Sequence, residues 1–141
     1  LKPDRRTFDG PYWVYLDTGV PMRIALAVEG SRGDVHPMLG LGDRLEARGH
    51  EVAVCAPPDM RAEVEARRME FRPVGLDVHE GLNDNANALL AGGAKAVRAA
   101  YAWFLSTARE QLARLTELTL DFDGIIGASI LIGGPRAAEL L

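Results

Sequence analysis

The segment Gly30-Ser31-Arg32-Gly33-Asp34-Val35-His36-Pro37 gathers a hydroxyl, a guanidinium, a carboxylate and an imidazole around two flexible glycines. Carboxylates and imidazoles are side chains that can move protons, so the loop holds the groups acid–base chemistry uses. The same Asp34 can instead cap the helix that follows, a common duty of short carboxylates at helix starts. Histidine is the residue type most used for proton transfer, which makes His36 a second candidate. Read as a glycine loop alone, the segment lacks the GxGxxG spacing of a dinucleotide site and the Gly-Lys-Ser/Thr of a P-loop. The tripeptide Arg32-Gly33-Asp34 is also a cell-adhesion sequence, taken as coincidence in a chain without a secretion signal. His50 follows a helix-ending glycine and reads as a turn residue. His79 has no ligand spacing to Cys55 or to a carboxylate pair, so no metal site is expected.

Loops of this kind are useful only when strands and helices hold them still. Before the loop, RIALAV (23–28) is a short apolar run ending in Glu29-Gly30, the pattern of a buried strand entering a turn. After it, Pro37 suits a first helical turn, Met38, Leu41 and Leu45 recur at helical spacing, and Gly49 suits a left-handed cap. A second strand is expected at 52–56, closed by Pro57-Pro58, with Asp59 capping a helix over 60–68. A short strand follows at 70–74. Gly81 to Asn87, with three asparagines and Asp84, reads as a polar loop.

Val97, Tyr101, Phe104, Ala108, Leu112 and Leu115 then mark an amphipathic helix over 95–119 able to cover a sheet face. A fourth strand is expected at 122–127, and a helix begins at Pro135. The order βαβαβαβ(α) predicts an α/β fold, a Rossmann-like doubly wound parallel sheet in a single domain, truncated at its C-terminal end. In such sheets ligands bind at the carboxyl ends of the strands, which puts Gly30–Pro37 at the site. Residues 1–21 read as an N-terminal extension or added segment, with one strand at 12–16, and 22–141 as the domain. Residues 81–105 are expected to be its most mobile part, because Gly92 and Gly93 weaken a helix start.

Composition narrows the function classes. The 141 residues are 48% hydrophobic and 26% charged, values of an ordinary globular chain. A net charge of −4 argues against a phosphate-backbone partner, so no nucleic acid is expected. Cys55 is the only cysteine, which excludes an intrachain disulfide framework and CxxC chemistry. There is no apolar run near the roughly 18 residues of a membrane span and no signal-peptide pattern, so a cytoplasmic location is expected.

Three blocks in order, GSRGDVHP, LGLGDRLEARGHEV and CAPPDMRAEVEARRMEFRPVG, resemble the N-terminal domain of GT-B glycosyltransferases. The nearest branch holds sterol glucosyltransferases and the enzymes that glycosylate macrolide and glycopeptide natural products. The resemblance is dense from Met22 to about Gly75 and thinner through FDGIIGAS. It implies that this domain binds a lipophilic or natural-product acceptor, while a C-terminal domain binds a nucleotide sugar and inverting transfer occurs between them without metal or cofactor. The family's acidic base matches Asp34, and Gly30, Ser31, Arg32, Gly33 and His36 fall in its substrate-binding loop.

His36 stands where the bacterial branch carries glutamine, which leaves it an acceptor contact or a helix-start residue. Related plant enzymes have a His-x-x-Pro loop whose histidine aligns with Asp34, and the aspartate that orients it aligns with Ala128, so the resemblance implies a lone carboxylate. Tyr101 and Trp103 are candidate acceptor contacts, with helix core as the other reading of aromatics at this spacing. The donor domain is expected in a missing C-terminal part or a second chain, which makes this chain a fragment, a split subunit or a truncated gene product. By itself it is expected to be inactive, and surface left bare by the absent half would support self-association. A non-catalytic acceptor-binding or auxiliary subunit of the same fold is the alternative.

Overall fold

A computed structural model describes residues 19–129. The strand expected at 12–16 and the helix expected from Pro135 lie outside the described residues. β1 (Arg23–Glu29) leads through the glycine loop into α1 (Arg32–Glu46), then β2 (Glu51–Ala56), a 3-10 turn Pro58–Met60, and the short α2 (Arg61–Glu65). β3 (Glu70–Pro73), α3 (Val78–Ala91), α4 (Gly93–Leu118) and β4 (Gly124–Ser129) follow. All strand pairings are parallel and the sheet order is β3-β2-β1-β4. The chain builds outward from β1 to β2 and β3, then crosses back to lay β4 on the other side of β1. This reversal is the topological switch point of a doubly wound sheet, and ligands collect outside the carboxyl ends of the two strands that flank it.

Alternation along the strands makes two unlike sheet faces. Ile24, Leu26, Val28, Val52 and Val54 point into a core with Val35, Met38, Leu39 and Leu45 of α1 and Val64 of α2. Ala25, Ala27, Ala53 and Cys55 point the other way, toward Leu115 of α4, Val74 and Phe122. Leu115 of α4 covers the small side chains of that second face. Burial pushes the Cys55 thiol up to about 12, which makes it a packing residue and not a nucleophile.

Three expectations change. The polar stretch Gly81–Asn87 is no loop but the middle of α3, whose N-cap Asp77 accepts the Glu80 N–H at 2.8 Å. The asparagines are tolerated because α3 packs along α4 as a helical hairpin, and tertiary contact outweighs their weak helix preference. The helix expected over 60–68 shrinks to α2 after a 3-10 turn, since Pro57 and Pro58 bias the chain away from an immediate α start. On α4 the buried face is Thr107, Ala108, Gln111 and Leu115, whereas Val97, Tyr101 and Leu112 of the expected apolar stripe are exposed. The sheet is shorter than the helix, so only the C-terminal half of α4 has a strand face to cover.

The amino ends of the strands are closed by ionic packing. Arg72 grips Asp121 with two bonds of 2.8 and 2.9 Å, and donates from Nε to Glu70 at 2.7 Å. Arg23 and Arg72 each lie over the Phe122 ring, at 4.7 and 4.6 Å from its centroid. His50, read as a turn residue, follows the turn after α1 and is buried: its Nδ1 accepts the Met22 N–H at 3.2 Å and ties the entry of β1 to the end of α1.

Candidate functional site

At the carboxyl end of β1 the backbone turns at Gly30 with φ +127°, a conformation L side chains rarely adopt. A Cβ here would also overlap the Asp34 carboxylate, so glycine is required twice over. The helix does not wait for Pro37 but begins at Arg32, because Ser31 and Asp34 form a capping box. Ser31 is the N-cap, and its N–H donates to Asp34 Oδ2 at 2.9 Å, with Ser31 Oγ 3.3 Å from the same oxygen. Pro37 therefore sits inside α1, where it leaves the Gly33 carbonyl without its usual donor at an exposed position.

The geometry gives Asp34 the capping part weighed from the sequence. Its carboxylate caps α1, and it is also half-buried at the switch point, with one N–H bond fixing its orientation. Arg32 does not point over the loop: it reaches α2 and pairs with Glu63 at 2.8 Å, anchoring the start of α1. That pairing helps hold the Glu63 carboxyl below its usual range, behind a larger contribution from its backbone hydrogen bond. His36 is exposed on the next turn, and a Cβ added to Gly33 would meet only the Ser31 hydroxyl, at ordinary contact distance. Gly30, Ser31, Gly33 and Asp34 thus form one cluster.

Tyr101 and Trp103 stand apart from this cluster on α4. Tyr101 is 62% exposed, beside Val97 and Phe104. Trp103 lies between the helices of the hairpin, so close to α3 that a Cβ on Gly81 would overlap its indole Nε1. The two helices run close here because position 81 has no side chain.

Sequence reasoning overlooked Glu29. It ends β1 in phase with Ala25 and Ala27, is 4% exposed, and its Oε2 accepts from Gln111 Nε2 at 3.1 Å. Burial pushes its carboxyl up to about 7, with Glu110 and Asp59 adding repulsion and Gln111 opposing the rise. Next to it Gly75 turns at φ +79° and donates its N–H to Glu110 Oε2 at 2.6 Å. A charged residue closing an otherwise apolar strand was the available signal, together with Gln111 interrupting the apolar register of α4. Among the described residues no group of three or more His, Cys, Asp or Glu side chains is placed to hold a metal ion, and no helix is long and apolar enough to cross a membrane.

Residues 24–137 match the model of the glycosyltransferase family 28 N-terminal domain. The chain belongs to that family. Over 51 residues it is 55% identical to an O-mycaminosyltylonolide 6-deoxyallosyltransferase of Streptomyces fradiae, a match covering 36% of this chain and 12% of that protein. It is 41% identical over 59 residues to a sterol 3-beta-glucosyltransferase of Arabidopsis thaliana, covering 42% of this chain and 10% of the relative. The solved structure of the glycotransferase of kitacinnamycin superposes with a TM-score of 0.55 at 25% identity, covering 82% of this chain and 26% of that one. SsfS6, a glycosyltransferase of Streptomyces sp. SF2575, shares the fold at a TM-score of 0.57 and 24% identity, over 83% of this chain and 36% of that one. The family 28 domain therefore occupies a small part of the length of the relatives it matches, and its Rossmann-like fold is theirs.

Proposed function

We propose that this family 28 domain is the acceptor-binding half of an inverting glycosyltransferase, moving a hexose from a nucleotide sugar to a hydroxyl of a lipophilic or natural-product acceptor. The observation that carries the reading is the placement of Asp34, a carboxylate oriented by the Ser31 N–H at the carboxyl end of β1, beside the switch point. In the reaction the acceptor O–H gives its proton to the Asp34 carboxylate while its oxygen bonds to the anomeric carbon. The bond from that carbon to the nucleoside diphosphate breaks, and the electron pair leaves with the diphosphate. The exposed Val97, Tyr101 and Phe104 on α4 supply an apolar wall suited to a lipophilic acceptor. The nucleotide sugar is a co-substrate for a second domain, in the same polypeptide or another chain, and proximity of the two reactants then supplies much of the rate.

Asp34→Asn keeps an oxygen for the Ser31 N–H but removes the proton acceptor. In the full-length protein it should lower kcat by roughly two to four decades with acceptor affinity nearly unchanged. His36→Gln, at an exposed position on α1, should do far less, and the reverse ranking would remove the base from Asp34. The capping box favours one rival: a non-catalytic acceptor-binding subunit in which Asp34 serves α1 alone. Under that rival, full-length protein shows no transfer from uridine or thymidine diphosphate sugars to a panel of macrolactones, glycopeptide aglycones and sterols, yet binds one of them. The 141-residue chain alone is expected to bind acceptor without turnover. Measurable transfer by it would overturn the division of labour.

A further inference from the structure

Glu29 has no part in the proposed transfer chemistry, yet it is a carboxylate buried at the carboxyl end of the same strand that leads into the Asp34 loop. Its Oε2 accepts from the neutral amide of Gln111, and its Oε1 is buried without a hydrogen-bond partner among the described residues. The charged groups that act on it are Glu110 of α4 and Asp59 of the 3-10 turn, both acidic. The Arg114 guanidinium of α4 stands 4.0 Å from Glu110. One helical turn above Gln111, Thr107 is 4% exposed and its Oγ1 is likewise unpartnered. Two buried polar atoms, Glu29 Oε1 at the end of β1 and Thr107 Oγ1 on α4, are thus left without a hydrogen bond, which native interiors rarely tolerate.

We propose that Glu29 and Thr107 form a subsite for a protonated amine of the ligand, with the ammonium on Glu29 Oε1, one N–H on Thr107 Oγ1, and Gln111 as the positioning residue. A cation fits better than a hydroxyl because it satisfies both oxygens and also offsets the repulsion among Glu29, Glu110 and Asp59. Both oxygens are shut from solvent, so the amine enters as the α3–α4 hairpin tilts. The upper half of α4 packs on α3 rather than on the sheet, which leaves that movement open. The inference deepens the acceptor-binding reading by naming a class of group the acceptor carries, and rests on it.

The test uses full-length protein and two probes of one shape, octylamine and 1-octanol, titrated by calorimetry at pH 8. Octylamine should bind saturably and at least about tenfold more tightly than octanol, and Glu29→Gln should erase that preference. Wild-type affinity for octylamine should weaken as pH falls below about 7, where Glu29 takes up a proton, a readout needing no variant. Thr107→Val should cost the amine a few-fold and leave octanol unchanged. Equal binding of the two probes, or an amine preference that survives Glu29→Gln, overturns the subsite. Asp34→Asn separates the readings: it should leave octylamine binding intact, so loss of transfer with retained amine preference counts against nothing here. Amine preference in a protein that transfers no sugar would instead overturn the glycosyltransfer reading alone.

Discussion

Two glycines at the cleft are held by different neighbours, and each makes its own demand. Gly30→Ala forces a side chain into a φ of +127° and onto the Asp34 carboxylate, so the capping box must open. Backbone strain of this kind costs of order 1–3 kcal/mol, and chemical denaturation should find a loss in that range. Gly75→Ala meets the Glu29 carboxylate instead, at a φ of +79°. It should destabilise similarly while leaving the Ser31–Asp34 contact intact. A variant pair in which Gly30→Ala removes transfer and Gly75→Ala removes only amine preference would separate the two functions of one cleft. If Gly30→Ala kept full stability and activity, the required close approach to Asp34 would be wrong.

The α3–α4 hairpin is the element whose behaviour the sequence described least well. Asp77 is the N-cap of α3, and Asp77→Ala should cost about 1 kcal/mol of helix stability. Gly81→Val drives a side chain into the Trp103 indole and should splay the helices, costing about 1–3 kcal/mol through overpacking. The change should appear as a shifted Trp103 emission with sheet amides still protected. The mobility expected of residues 81–105 becomes a statement about this hairpin: amides of α3 and of α4 before Thr107 should exchange faster than those from Thr107 to Leu115, which are held by the sheet. Uniform slow exchange along α4 without ligand would defeat it.

Across the whole molecule the two ends of the sheet titrate in opposite senses. At the amino end, hydrogen bonding to Arg72 holds the Asp121 carboxyl down at about 2, against an ordinary 3.8. Stability from this group is present above 3.8 and is lost as pH falls toward 2. At the carboxyl end, burial holds Glu29 up at about 7 against an ordinary 4.5, so the folded state keeps a proton the unfolded chain has lost. Its effect runs the other way: stability is highest below 4.5 and declines as pH rises to 7. Urea unfolding across the pH range should show both slopes. Glu29→Gln should abolish the decline between 4.5 and 7 and be more stable than the parent above it. A decline that persists in that variant would place the titrating group elsewhere.

What the sequence determined by itself is the local logic of the first unit. An apolar run and a glycine that escapes its strand are enough to write strand, turn and a following helix, because each depends on neighbours a few residues away. The start of that helix, expected at Pro37, was set too late: Ser31 and Asp34 cap it from Arg32. The parallel order followed from alternating strands and helices, which leave hardly any other right-handed arrangement. The tertiary structure decided what depends on distant partners. Whether an asparagine-rich stretch becomes loop or helix was settled by α4 packing beside it, and which stripe of α4 is buried was settled by where the sheet ends. The burial of Glu29 could not be read locally either, since nothing within β1 announces that Gln111, 82 residues later, stands over it.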